Sequence, residues 1–302
     1  MKRIMTVALC VMMSTTAYAA ERFVVVTHDN GVSNFWSPII KGAQDAGKAV
    51  GAEVQYVPNP SGDMAQLGKL IETAAAGKPD GIVATLPDPD TEGLAIKAAI
   101  ASGIPVITIN SGETDSKKLG ALMHIGQPEL NAGRAAGERA KKEGATKAIC
   151  LNHETTNTNM ADRCKGYFEG LGQPLNMIDS SNDPIQVKTR VSAALQSDQS
   201  VNALIALDPS VCEAAAAAVT EVGAKVTLSC FDLSPAIIRL IKEKKVSFTI
   251  DQQPYLQGYL PVILLHLYNT FGLRPGSNVP SGPGIVDATN VDLVQKLAGV
   301  AR

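Results

Sequence analysis

The feature that most limits what this chain can fold into is its cadence: apolar runs of strand length alternate with segments of helical period from Phe23 almost to the end. Phe23-Val24-Val25-Val26-Thr27 is a β-branched run that reads as a buried strand. From about Pro38 the period changes, and Ile39, Ile40, Ala43, Ala46 and Val50 recur at helical spacing with polar residues between them. Ser37-Pro38 reads as an N-cap followed by proline at the first helical position. Between strand and helix lies a polar loop from His28 to Asn34, then Phe35 and Trp36, the only tryptophan in a chain with 4% aromatics. Such loops lie at the carboxyl ends of strands, where open α/β sheets bind ligands.

The pattern repeats. Further strands are expected at Val54–Val57, Gly81–Leu86, Ile104–Ile109 and Leu122–Ile125, with helices at Asp63–Ala76 and Thr91–Ala101. A second series has helices at Pro128–Glu143, Met160–Leu171, Ile185–Leu195, Val211–Val222, Pro235–Lys242 and Leu256–Thr270. Its strands are Ala148–Leu151, Asn176–Asp179, Ala203–Leu207, Val226–Phe231 and Ser247–Ile250. The tail from Gly272 is rich in proline and glycine before a short helix near Asn290–Leu297. Two halves of one βα rhythm, with polar loops at strand ends in both, predict two doubly wound Rossmann-like lobes with mainly parallel sheets and a cleft between them.

Residues 1–20 read as a cleaved export signal: Lys2 and Arg3, an apolar stretch from Ile4 to Met13, and Ala17-Tyr18-Ala19 as the cleavage site. The expected product is exported to the periplasm, with no further run long enough to span a membrane. Without Lys2 and Arg3 the 27 basic residues become 25 against 29 acidic, which does not point to nucleic acid. Cys150, Cys164, Cys212 and Cys230 remain in an oxidising compartment. Cys150–Cys164 and Cys212–Cys230 bridges are geometrically open, and free buried thiols are the alternative.

Enzyme signatures are missing. There is no G-x-G-x-x-G after a strand, no phosphate loop and no G-x-S-x-G elbow. His28, His124, His153 and His266 are scattered without zinc spacing, so neither a metal nor a cofactor nor a catalytic residue is expected. His153-Glu154 is weak as an acid–base pair, and His266 reads as a core histidine. What recurs is loops rich in amides and carboxylates beside aromatic faces, which suit a polyhydroxyl ligand: each hydroxyl donates and accepts, and ring faces want an aromatic platform.

The ordered segments FWSPIIKGAQDAGK (35–48), GIPVITINSG (103–112), ADRCKGYFEGL (161–171), ALIALDPSVCEAA (203–215), LSCFDLSP (228–235) and FTIDQQPYLQGY (248–259) resemble one family along essentially the whole mature chain. It is the periplasmic sugar-binding proteins of ABC importers, in the ribose-binding-protein-like group with the type I periplasmic binding protein fold. The resemblance implies Phe35 and Trp36 as stacking aromatics, Arg163 as the ligand arginine, and Asp208, Asp232 and Gln252 as polar contacts. Asn110 stands where relatives usually carry aspartate, Ser111 where ribose binders carry arginine, and Ile185 where the third aromatic falls. These departures, and a longer first loop around His28 to Val32, argue against ribose. His28, Asp29, Asp88, Gln127, His153 and Glu154 sit on loops expected to face the cleft and complete a different pocket.

The resemblance further implies a three-strand hinge crossed near Met123–Pro128, Ile250–Pro254 and Asn278–Pro283. One lobe then holds 21–124 plus 253–279 and the other 127–250 plus 281–302. The expected function is capture of a small sugar or polyol by hinge closure and delivery to an ABC permease by a monomeric subunit that does no chemistry. A periplasmic ligand sensor, the same importer role for a non-sugar polar solute, and a periplasmic hydrolase are the rival readings.

Overall fold

The computed structural model describes residues 19–302; the expected leader, residues 1–20, lies outside that range except for its last two residues. Two six-stranded sheets account for the two series of strands. The first holds β1 (Arg22–Val26), β2 (Glu53–Val57), β3 (Gly81–Thr85), β4 (Val106–Ile109), β5 (His124–Gly126) and, from the tail, β11 (Val279–Pro280). Its order is β11-β5-β4-β3-β1-β2, with every pair parallel. The second holds β6 (Ala148–Asn152), β7 (Met177–Asp179), β8 (Ala203–Ala206), β9 (Thr227–Phe231), β10 (Phe248–Asp251) and β12 (Gly284–Asp287). Its order is β12-β10-β9-β8-β6-β7, and only β12 runs antiparallel.

Each sheet is covered on both faces, because alternate side chains of its buried strands point opposite ways. Phe23 and Val25 pack beneath α1 (Trp36–Val50) and α10 (Pro254–Phe271); Val24 and Val26 pack beneath α2 (Met64–Ala76) and α3 (Pro89–Ala101). In the second half Ala148 and Cys150 face α5 (Glu129–Lys142) and α6 (Thr158–Leu171), while Ile149 and Leu151 face α7 (Pro184–Ser197) and α8 (Pro209–Val222). The chain passes between sheets after β5, after β10 and after β11, so both sheets share the order of a doubly wound unit. This is the expected fold class.

Several local expectations change. Helix α1 begins at Trp36, not Pro38, because Phe35 already has helical torsions (φ −54°, ψ −33°); Ser37 lies inside the first turn and caps nothing. Helix α4 (Glu113–Leu119) and strands β11 and β12 were not expected, and neither polar ETDSKKL nor the glycine- and proline-rich tail carries an apolar period. The tail still reaches both sheets before α9 (Pro235–Lys242) is joined by α11 (Val291–Val294). His266 is part-exposed and meets Glu21 at 2.5 Å rather than sitting in the core. Both cysteine pairs, Cys150–Cys164 and Cys212–Cys230, are disulfides. Among the described residues no helix is long and apolar enough to cross a membrane.

Candidate ligand-binding site

A cavity of about 50 Å³ lies where the carboxyl ends of the two sheets face each other. One water needs roughly 10–15 Å³ by such a measure, so there is room for a small molecule. From the first sheet it takes His28, Asn30, Val32, Ser33, Phe35 and Trp36 after β1, and Asn110 after β4. From the second it takes His153 and Glu154 after β6, Met160 and Arg163 on α6, and Asn182 before α7. Leu207, Asp208, Ser210, Asp232 and Gln252 follow β8, β9 and β10.

The aromatic corner is packed edge to face. Trp36 meets His28 edge-on at 4.8 Å between ring centroids and Phe35 at 5.2 Å. Starting α1 at Trp36 is what turns the indole inward, where both packing and cavity lining use it. Burial lowers the His28 imidazole below its ordinary value, favouring the neutral ring. The Nδ1 atoms of His28 and His153 are buried without a protein partner, so each is available to a hydrogen-bonding ligand.

Opposite lies a polar network. The Arg163 side chain is 2% exposed; its Nε and Nη2 donate to Glu129 at 2.7 and 2.8 Å, and Nη1 donates to the Leu207 carbonyl at 3.2 Å. The guanidinium carbon sits 4.5 Å from the centre of the Phe231 ring. Of its five N–H donors, two remain for the cavity. Gln252 donates to Asp232 at 2.9 Å and accepts from Asn110 at 3.3 Å and Gln257 at 2.8 Å, tying together three chain segments. Asn110 and Asp232 both adopt positive φ (62° and 67°), which these short polar residues tolerate better than most.

Burial pushes the Asp232 carboxyl up to about 8, even though Arg163 and the Gln252 amide favour its charged form. Burial alone would raise Glu154 too; His153, His28, the Asn157 amide and Arg163 outweigh it and hold it below the ordinary range. Asp208 has two tasks: one oxygen caps α8 through the Ser210 N–H (2.7 Å), and the other accepts from Ser33 of the opposite sheet's loop (2.7 Å). The α9 cap is Ser234, leaving Asp232 free of that role.

The cavity gathers Phe35, Trp36, Asn110, Arg163, Asp208, Asp232, Gln252, His28 and His153, with Glu154. Asp29 and Asp88 do not line it. The Asp29 carboxylate folds back to accept from the Gly31 N–H (2.8 Å) and the Tyr56 hydroxyl (3.0 Å), closing its own loop. Asp88 precedes α3 and accepts from the Thr91 hydroxyl at 2.7 Å. Gln127 turns toward Glu129, and Ile185, where the resemblance implies an aromatic, is 77% exposed on α7 and does not line the cavity. His124 is buried in β5, held by Thr108 at 3.0 Å, and burial lowers it to about 3. Ser33, Asn30 and Asn182 were missed; the only signal for the first two was the length of the first polar loop.

A cavity between the strand ends of two doubly wound sheets, lined from both, is the interlobe site of a two-lobed binding fold. The chain belongs to the periplasmic binding protein domain family, whose pattern matches residues 23–269. A solved carbohydrate transporter of Acidothermus cellulolyticus, in complex with myo-inositol, is 34% identical with a TM-score of 0.89, covering 93% of this chain and 99% of that one. A periplasmic sugar-binding protein of an ABC sugar transporter from Legionella pneumophila is 26% identical with a TM-score of 0.81, covering 87% and 99%. The xylose/arabinose-binding protein XylF of Sulfolobus acidocaldarius is 25% identical over 254 residues, 78% of this chain; the chain spans 63% of that relative's length.

Proposed function

We propose that this protein is the solute-binding subunit of an ABC importer, exported to the periplasm as a monomer, which captures a small sugar or cyclic polyol and presents it to the membrane permease. The observation that carries the reading is the cavity itself: small, lined by both aromatic and polar side chains, with unpartnered imidazole nitrogens from loops of both sheets. A ligand there touches both lobes at once, so it binds the closed state better than the open one and shifts the balance to closure. We take the lobes to be 21–124 plus 253–279 and 127–250 plus 281–302. The side chains proposed to contact ligand are Phe35, Trp36, Asn110, Arg163, Asp208, Asp232, Gln252, His28 and His153, and no chemistry on the ligand is assigned to them. The relative holding myo-inositol supports the polyol class.

The test is a thermal-shift screen of protein refolded free of carried-over ligand, against pentoses, hexoses, cyclitols, nucleosides and amino acids. A cognate ligand at a thousandfold excess over its Kd should add about 4 kcal/mol of stability. A hit confined to amino acids or nucleosides would overturn the carbohydrate reading.

A further inference from the structure

The charges facing the cavity are out of balance. Among the described residues Arg163 is the one lysine or arginine that lines it, and its guanidinium is already paired through two bonds with Glu129. Three carboxyl groups face it: Glu154 and Asp208, and Asp232, whose burial favours the neutral acid. Asp208 is committed to the α8 cap and to Ser33. Asp232 accepts only from the Gln252 amide, and Glu154 only from the Asn157 amide at 2.8 Å. Beside Glu154 lie His28, 7% exposed, and His153, each with a buried and unpartnered Nδ1. Of the helix starts at the cavity, α6, α8 and α9 already spend N–H donors on the side-chain caps Asn157, Asp208 and Ser234, while α1 begins there without such a cap.

Buried charge is stable only when paired or neutralised. A ligand bearing a carboxylate or phosphate would add negative charge to a cavity whose one guanidinium already has its charge balanced by Glu129, although two of its N–H donors are unspent. An amino group would supply what the corner lacks. We propose that the ligand is a polyol without negative charge, and that the corner formed by Glu154, His28 and His153 accepts an amino substituent, so that amino sugars or aminocyclitols are ligands of this site. Glu154 then receives the ammonium, and the two imidazole nitrogens accept its remaining N–H groups or those of adjacent hydroxyls. The inference rests on the reading that the cavity holds a polyol.

Calorimetric titration at pH 7.5 tests it with myo-inositol and D-glucose as neutral parents, scyllo-inosamine and D-glucosamine as amines, and myo-inositol 1-phosphate and D-glucuronate as acids. For the parent that binds, the amine is expected within tenfold of it or tighter, and the acid more than a hundredfold weaker, as for a charge buried against like charge. In Glu154→Gln the amine-to-parent affinity ratio is expected to fall at least tenfold. An acid within a hundredfold of its parent, an amine more than tenfold weaker, or an unchanged ratio in Glu154→Gln overturns the proposal. Should that variant fail to fold, the wild-type comparison of amine and acid still decides. Silence from both neutral parents and all other carbohydrates, with binding of amino acids instead, overturns the polyol reading on which it rests.

Discussion

Asp232 combines a positive φ of 67° with a carboxyl that burial pushes up to about 8, and the two properties call for different substitutions. Alanine would add backbone strain, whereas asparagine tolerates the left-handed region and changes little but the acid. Asp232→Asn is therefore expected to weaken carbohydrate binding about tenfold to a hundredfold, the cost of losing a hydrogen bond to a charged or buried group, while the melting temperature stays level or rises. An unchanged Kd by titration would remove Asp232 from the site. Glu92, fully buried on α3, gives a stability prediction away from the cavity. It accepts from the Asp88 N–H through Oε2, its Oε1 has no partner, and burial raises it to about 8. Because the folded value lies above the unfolded one, the folded state holds the proton longer. Stability from this group is full below about 4.5 and is lost as pH rises toward about 8. Glu92→Gln should match wild type in urea melts at pH 5 and exceed it at pH 8.5, by on the order of 2–4 kcal/mol. At this scale the sequence is a partial guide. Trp36 follows a polar loop at a strand end, where position alone suggests a role, and Asp232 is legible only through the family resemblance; nothing in the sequence says that the Asp29 carboxylate turns back onto Gly31 and Tyr56.

Elements were the most legible, because burial on alternate faces leaves its period in the residues; α4 and the tail strands escaped because they carry no such period. Less legible is how closely two helices approach. On α5 and α6 the glycines interlock: a Cβ at Gly137 would lie 2.0 Å from the Tyr167 carbonyl oxygen, and one at Gly166 would lie 2.1 Å from that of Leu130. Backbone cannot yield as a side-chain tip can, so Gly137→Ala should cost about 1–3 kcal/mol. Helix α6 also carries Arg163, and the same variant should weaken ligand binding, where a surface Gly→Ala such as that at Gly276 would not. Loss of stability with full affinity would show that helix spacing does not set the arginine. The Cys150–Cys164 disulfide ties β6 to the same helix across 14 residues. Replacing both cysteines by serine is expected to cost about 3 kcal/mol in chemical denaturation, as a loop of that length implies.

For the whole molecule, two lobes followed from a βα rhythm that repeats, but their closure could not be read from it, because contacts between distant loops leave no period. The structure is closed: Asn159 donates to the Asn110 carbonyl at 2.8 Å, Ser33 to Asp208 at 2.7 Å, and the Thr158 hydroxyl to the Pro87 carbonyl at 3.2 Å. Each bond joins a loop of one sheet to a loop or helix start of the other. Thr158 is exposed and does not line the cavity, so it reports on closure without touching ligand. Such a bond contributes about 0.5–1.5 kcal/mol. If it forms only on closure, Thr158→Val should raise the Kd roughly twofold to tenfold, mainly through faster dissociation. The ligand-free melting temperature should not move. Trp36, the single tryptophan, lies in the cavity wall and supplies the fluorescence signal for stopped-flow measurement of both rates. A slower association at unchanged dissociation would place the bond in an early encounter. Unchanged rates would show that the hydroxyl adds nothing to the bond that the Thr158 N–H makes to the same carbonyl at 3.2 Å, and that the backbone contact alone latches the lobes.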